Sequence, residues 1–298
     1  MIWRASVVTV VAALAACVLG CSRPERGSGS ATGGGGLQVI GSDTMANVAQ
    51  AWAAAYYEKT GTQVSVTGGG SGTGIAAMLN GTCDIANASR RMEGKEITLA
   101  DEKGLDPQET VVALDGLAVV VHPENPVGEL TVDELAAIFT GEITNWREVG
   151  GEDDVIVLLS REVNSGTHVY FKEHVLRKGD KDSQSEFAPG ALLQPSSQAI
   201  ADIAAQNPRV IGYYGMGYLS EDQKPIAVAE NADGPFVLPA PENVLDGSYS
   251  ISRPLLLITN GAPEGDVKGY IDFILGPEGQ QIVKDLEFVQ APSSAAAQ

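Results

Sequence analysis

Apolar residues recur along this chain in two alternating rhythms. Short runs such as Leu37-Gln38-Val39-Ile40 and Gln63-Val64-Ser65-Val66 have the length and β-branched content of strands. After the first run, Met45, Val48, Ala49, Trp52 and Tyr56 recur at the spacing of one helical face, and Gly61 supplies a C-terminal stop. After the second come a glycine-rich turn, "GGGSGTGI" from Gly68 to Ile75, and a helix closing at Gly81; "CDIANAS" then opens a further strand. Strand and helix in regular alternation predict α/β architecture with largely parallel sheets.

The stretch from Val111 to Pro126 is too apolar for an exposed strand and ends in proline-rich turn chemistry, so it reads as a buried crossover into a second lobe. Thr131 and Glu134 form a capping box at the head of an amphipathic helix. Asp154 to Leu176 is again strand, polar turn and helix. Ser252 to Gly261 reads as a second buried strand, returning the chain to the first lobe. Two helices follow it, the last opening with Gly276 and Pro277, where a first-turn proline is well tolerated. Two crossings imply two α/β domains joined by a two-strand hinge. The expected partition is 37–122 with 254–298 for lobe 1, and 123–253 for lobe 2.

The beginning of the chain follows neither rhythm. Arg4 precedes an apolar stretch, Val7 to Leu19, that has the length of a secretory signal core and is short for a bilayer span. It closes with "VLGC", which resembles the lipobox of bacterial lipoproteins, with Cys21 as the lipidated residue. "LAAC" at Cys17 also fits, but polar sequence starts directly after Cys21, as the end of a signal requires. Residues 1–20 are therefore expected to be a lipoprotein signal peptide, and 21–36, rich in Gly and Ser, a flexible linker. The third cysteine, Cys83, is expected to be a small buried apolar residue. The formal charge is −19 over 298 residues, and loss of Arg4 with the signal takes it to about −20. Such acidity argues against nucleic acid, whose binding needs Lys and Arg on phosphates.

Candidate chemistry lies where strands end. Gly41-Ser42-Asp43-Thr44, Gly68 to Gly74 and Asn164-Ser165-Gly166-Thr167 share one form: a strand, then hydroxyl residues and glycines, then a helix. Each sets free backbone N–H groups and the positive end of a helix dipole at the carboxyl end of a strand, where anions are favoured. Any one of these turns alone is an ordinary cap, and Arg90 and Arg161 alone are ordinary ion-pair partners. Three turns with two arginines beside them point to a pocket for a small oxyanion. The glycine run is the most telling, since a cap needs only one glycine while a backbone that must be approached closely needs several. His122, His168 and His174 lack metal-ligand spacing and read as structural or surface residues. There is no Gly-Lys-Ser/Thr phosphate loop, no Gly-x-Ser-x-Gly elbow and no His-Glu-x-x-His, so no catalytic residue, metal or cofactor is expected. Binding, not turnover, is the expectation.

The segments "GSDTM", "GGGSGTGI", "DIANASR", "LDGLAVVVHPENPV", "LTVDELAAIFTGEITNWREVGG", "NSGTHVYF", "IGYYGMGYL" and "SRPLLLITNG" occur in this order through the chain. They resemble the phosphate-binding proteins of bacterial high-affinity phosphate ABC transporters, a periplasmic substrate-binding family, across nearly the whole mature length. The resemblance implies the type II two-lobed fold, closing on one phosphate and delivering it to a membrane permease. It places phosphate contacts on Thr44, the amide of Met45, Ser71, Arg161, Ser165, Gly166 and Thr167, with Ser89 and Arg90 at the matching first-lobe strand end. Many members of the family carry an aspartate where Arg90 stands. Either an acceptor for the phosphate proton lies elsewhere, with Asp43 the first candidate and Asp84 the second, or the arrangement differs. The protein is expected to be a monomer on the extracytoplasmic face, lipid-anchored to the cell membrane. Receptors for sulfate or molybdate, and a phosphatase or other hydrolase on the same scaffold, are the alternatives.

The tether separates anchor from binding lobes, so Cys21→Ser should release the protein from membranes in fractionation while leaving anion affinity unchanged. Continued lipidation of that variant would move the anchor to Cys17.

Overall fold

A computed structural model describes residues 36–292. The signal, linker and lipidation expectations, on 1–35, lie outside the described residues, except for Gly36. The first half of the described chain runs β1 (Leu37–Gly41), α1 (Ala46–Thr60), β2 (Val64–Thr67), α2 (Ser71–Leu79), β3 (Ile85–Ala88), α3 (Gly94–Glu102), the long β4 (Pro107–Val121), β5 (Glu129–Thr131), α4 (Val132–Thr140) and β6 (Val157–Arg161). It continues with α5 (Gly166–Phe171), β7 (Leu192–Gln194), α6 (Ser197–Ala204), β8 (Val210–Gly215), β9 (Lys224–Pro225), β10 (Ala227–Ala229), α7 (Pro241–Leu245), β11 (Ser252–Asn260), α8 (Gly265–Leu275), α9 (Pro277–Asp285) and β12 (Val289–Gln290).

Sheet order explains how two lobes arise from one ladder. The path runs β2-β1-β3-β11-β4-β8-β6-β7. β1 is parallel to β2 and β3, and β6 is parallel to β7 and β8, as alternating strand and helix require. β11 enters antiparallel between β3 and β4, so the sheet is mixed. β4 serves both halves in turn: Pro107 to Gly116 pair with β11, and Leu117 to Val121 pair with β8. The fold is the two-lobed α/β arrangement with β4 and β11 as the connecting strands.

Each half of the sheet is covered on both faces, which is why its central strands read as unbroken apolar runs. Alternation decides which side chain goes where. Leu117, Val119 and Val121 enter one cluster with Phe139, Phe171 and Tyr213, whereas Ala118 and Val120 join Leu159, Ile200 and Tyr214 on the other face. In the other half, Leu255 and Leu257 pack with Met45, Trp52 and Phe288, and Leu256 and Ile258 with Ile75 and Met78.

Local signals carry through. Gly61 adopts the left-handed C-cap, Pro277 opens α9, and the Thr131 side chain accepts from the Glu134 amide while Glu134 accepts from the Thr131 amide. One expectation needs correction, and one helix has no sequence signal. Cys83 is only partly buried, at the margin of the cluster around Ile75. α3 was not foreseen because Ala100 is its one buried residue, so it writes no apolar stripe.

Candidate anion-binding site

Three turns at the carboxyl ends of β1, β2 and β6 meet at the junction of the two halves. The Asn164 carbonyl accepts from the Gly72 amide at 3.0 Å, and the Asn164 side-chain amide donates to the Gly69 carbonyl at 2.7 Å. These bonds tie the α5 turn to the glycine loop. The glycines permit the approach: a Cβ on Gly70 would stand 2.7 Å from the Asn164 carbonyl oxygen, at a φ of +97° that L residues rarely adopt. A Cβ on Gly166 would stand 2.2 Å from Ser71 Oγ and 2.6 Å from Ser89 Oγ.

Around this contact lies a buried group of hydroxyls. Ser42 Oγ donates to Ser89 Oγ at 2.9 Å, Ser71 and Ser89 Oγ are 3.2 Å apart, and the Ser89 amide donates to Ser71 Oγ at 3.0 Å. Thr44 Oγ1 and Thr167 Oγ1, from opposite halves, are 2.8 Å apart. Ser165 caps α5 by accepting from the Thr167 amide. Met45, with a fully buried side chain, ends the short helical turn Asp43–Met45 that leads into α1. Hydroxyls rotate between donor and acceptor roles, so this group can turn from one another to the oxygens of a small anion.

Arg161 is buried at the end of β6, and each of its three guanidinium nitrogens has an acceptor. Nε donates to the Gln194 carbonyl, Nη2 to the Pro195 carbonyl and Nη1 to Ser197 Oγ, with Asp43 Oδ2 3.1 Å from Nη1. Burial lowers its pKa and Asp43 opposes that shift; a guanidinium nevertheless stays charged at neutral pH. Asp43 Oδ2 also accepts from the Ser197 amide at 2.8 Å, and Tyr218 Oη donates to the Asp43 carbonyl. Asp43 therefore bridges the two halves through Arg161 and the start of α6.

Not every expected residue joins the group. The Arg90 guanidinium turns to α3, donating to both Glu96 oxygens at 2.7 and 2.8 Å, with Glu93 at 3.2 Å, and these carboxylates outweigh burial to raise its pKa. Asp84 precedes β3, at the end opposite the hydroxyls, and holds the Gln38 amide. The structure thus removes Asp84 as an acceptor near them.

Two residues that sequence reasoning missed lie beneath the threonines. Arg253 on β11 and Asp115 on β4 are register partners, both side chains wholly inaccessible, with Arg253 Nε and Nη2 at 3.1 and 2.9 Å from Asp115 Oδ2. The signal was present: β4 carries Asp115 inside its apolar run and β11 carries Arg253, of opposite sign, at the head of its own, and buried charges must pair. Below Arg161, Ser160 Oγ bonds both His168 Nδ1 and Tyr213 Oη. Burial chiefly, with Lys172 next, lowers the His168 pKa to about 4.

Strand-end turns converging from both halves on a hydroxyl-lined junction define a two-lobed substrate-binding protein. The PBP superfamily domain matches residues 26–278. The phosphate-binding protein PstS of Pseudomonas aeruginosa is 32% identical over 307 residues, 96% of this chain and 92% of that protein. PstS of Bacillus subtilis is also 32% identical, over 90% of this chain and 85% of its own. A Clostridium perfringens protein solved with bound phosphate, and assigned to phosphate ABC transporter substrate binding, superposes with a TM-score of 0.77 at 33% identity, covering 87% of this chain and 100% of that one. The ABC-type phosphate transport receptor of Vibrio cholerae gives 0.69 at 29% identity, covering 86% and 100%. The chain belongs to the PBP superfamily and, within it, to the phosphate-binding proteins called PstS.

His168 makes acid stability a readout of this region. Its folded pKa lies below the ordinary 6.5, so its contribution is present above pH 6.5 and is lost as pH falls towards about 4. Thermal unfolding over that range should show the parent losing up to about 3 kcal/mol more than His168→Gln. Parallel curves would mean the imidazole is not buried in its neutral form.

Proposed function

We propose that this protein binds inorganic phosphate outside the cytoplasmic membrane and delivers it to an ABC permease. The observation that carries the reading is the meeting of Thr44, Ser71 and Ser89 with Gly166 and Thr167 across the junction. An anion held there touches both lobes, and the relatives that match nearly the whole chain are named for phosphate. The phosphate contacts on this reading are Thr44, the Met45 amide, Ser71, Ser89, Arg161, Ser165, Gly166 and Thr167. Arg90, spent on Glu93 and Glu96, shapes the glycine loop from behind. The lobes are 37–122 with 254–298 and 123–253, a division supported by β4 changing partner after Gly116. The protein acts as a binder without phosphoester turnover, as a monomer anchored at Cys21 on the extracytoplasmic face.

Affinity on this reading comes from short-range donors. Each charge-assisted hydrogen bond contributes about 1.5–3 kcal/mol, so several of them reach a micromolar or tighter complex, about −8 kcal/mol, after desolvation. Calorimetry with phosphate, sulfate and molybdate should show one saturable site that prefers phosphate; equal affinity for all three would make the protein a general oxyanion receptor.

Asp43 has a role that the same titration resolves. Its carboxylate holds Arg161 and the Ser197 amide, which makes it a positioning group for the arginine. Asp43→Asn should then weaken phosphate and sulfate together, by about tenfold or more, or roughly 1.4 kcal/mol. Loss of phosphate affinity alone would instead identify Asp43 as the acceptor of the phosphate proton.

A further inference from the structure

Three buried side-chain polar atoms among the described residues lack a hydrogen-bond partner: Asn87 Oδ1, Arg90 Nε and Arg253 Nη1. The last belongs to a charged group, for which an unmet buried donor is most costly. Guanidinium geometry fixes where Nη1 faces. Nε and one N–H of Nη2 form the edge that meets Asp115, so the remaining fork, Nη2 with Nη1, opens along the arginine's end. That end faces the threonines: Nη2 is 3.0 Å from Thr167 Oγ1 and 3.3 Å from Thr44 Oγ1. Asp115 is held in turn by the Met216 amide on its other oxygen, and Arg253 lies 5.7 Å from the Tyr170 ring centroid, so the cation cannot swing away.

We propose that Arg253, held by Asp115, is a further anion-binding residue of this site, its unpartnered Nη1 donating to an unprotonated oxygen of phosphate beside Thr44 and Thr167. This rests on the phosphate reading above. An arginine only donates, so both threonine hydroxyls accept from it; one gives its proton to the other across their 2.8 Å contact, and the other is left to donate outward. That corner of the site offers donors alone, and it selects oxygens that carry no proton. Arg161, by contrast, has acceptors on Nε and both Nη atoms already. Arg253 therefore makes the dianion the favoured form of the ligand.

The test compares phosphate affinity on either side of its second ionisation, by calorimetry, in the parent, in Arg253→Lys and in the charge-free pair Arg253→Gln with Asp115→Asn. The parent should bind the dianion more tightly. Both variants should lose about tenfold or more for the dianion and much less for the monoanion, flattening the pH profile. A folded variant that keeps the parent's affinity and profile overturns the proposal and leaves Arg253 a structural strand pair. Should the variants fail to fold, NMR of isotope-labelled arginine in the parent decides the matter. Phosphate must shift the Arg253 Nη signals and slow their exchange, and signals that do not move refute the contact. A parent that binds no phosphate would fail the functional reading itself, a distinct result.

Discussion

The buried pair of Arg253 and Asp115 is the constraint around which the rest of the molecule is arranged. Two charges with no solvent access sit opposite each other on the two strands that join the lobes. Desolvating them costs several kcal/mol per ion, and burial pushes the Asp115 carboxyl above the usual carboxylate range against the pull of Arg253 and the Met216 amide. Such a pair is poor stabilisation compared with two leucines, but it tolerates only one register. A shift of β4 against β11 by one residue would face each charge into hydrocarbon. It also sits beside Gly116, after which β4 leaves β11 for β8, so it marks where one lobe gives way to the other.

The site inherits its position from that strand exchange. Parallel strands in each half point their carboxyl ends at the junction, and the turns that follow carry hydroxyls and glycines. The contact of Gly166 with Ser71 and Ser89 leaves no room for a side chain, so the backbone itself forms part of the lining. Dipoles and rotatable hydroxyls supply the donors. The arginines near them are matched to carboxylates, Arg161 to Asp43, Arg90 to Glu93 and Glu96, and Arg253 to Asp115. A strongly acidic protein can thus present an oxyanion with directed N–H and O–H groups without a patch of unpaired positive charge.

By itself the sequence determined whatever depends on neighbours along the chain. Alternating strand and helix periods set the α/β class, Thr131 with Glu134 set a helix start, and Gly61 and Pro277 set a stop and a start, because these signals act within one turn. The three strand-end turns were legible for the same reason. Tertiary structure alone decided who meets whom. Arg90 and Arg161 look alike in the sequence, yet one is drawn to glutamates of an adjacent helix and the other to carbonyls near α6 and to Asp43, 118 residues away in sequence. Asp43 and Asp84 looked like rival acceptors until the strand direction put one at the junction and the other at the far end of β3. Asp115 and Arg253 were visible only as odd charges in and at the head of apolar runs. Their pairing depends on long-range register, and register belongs to the assembled sheet.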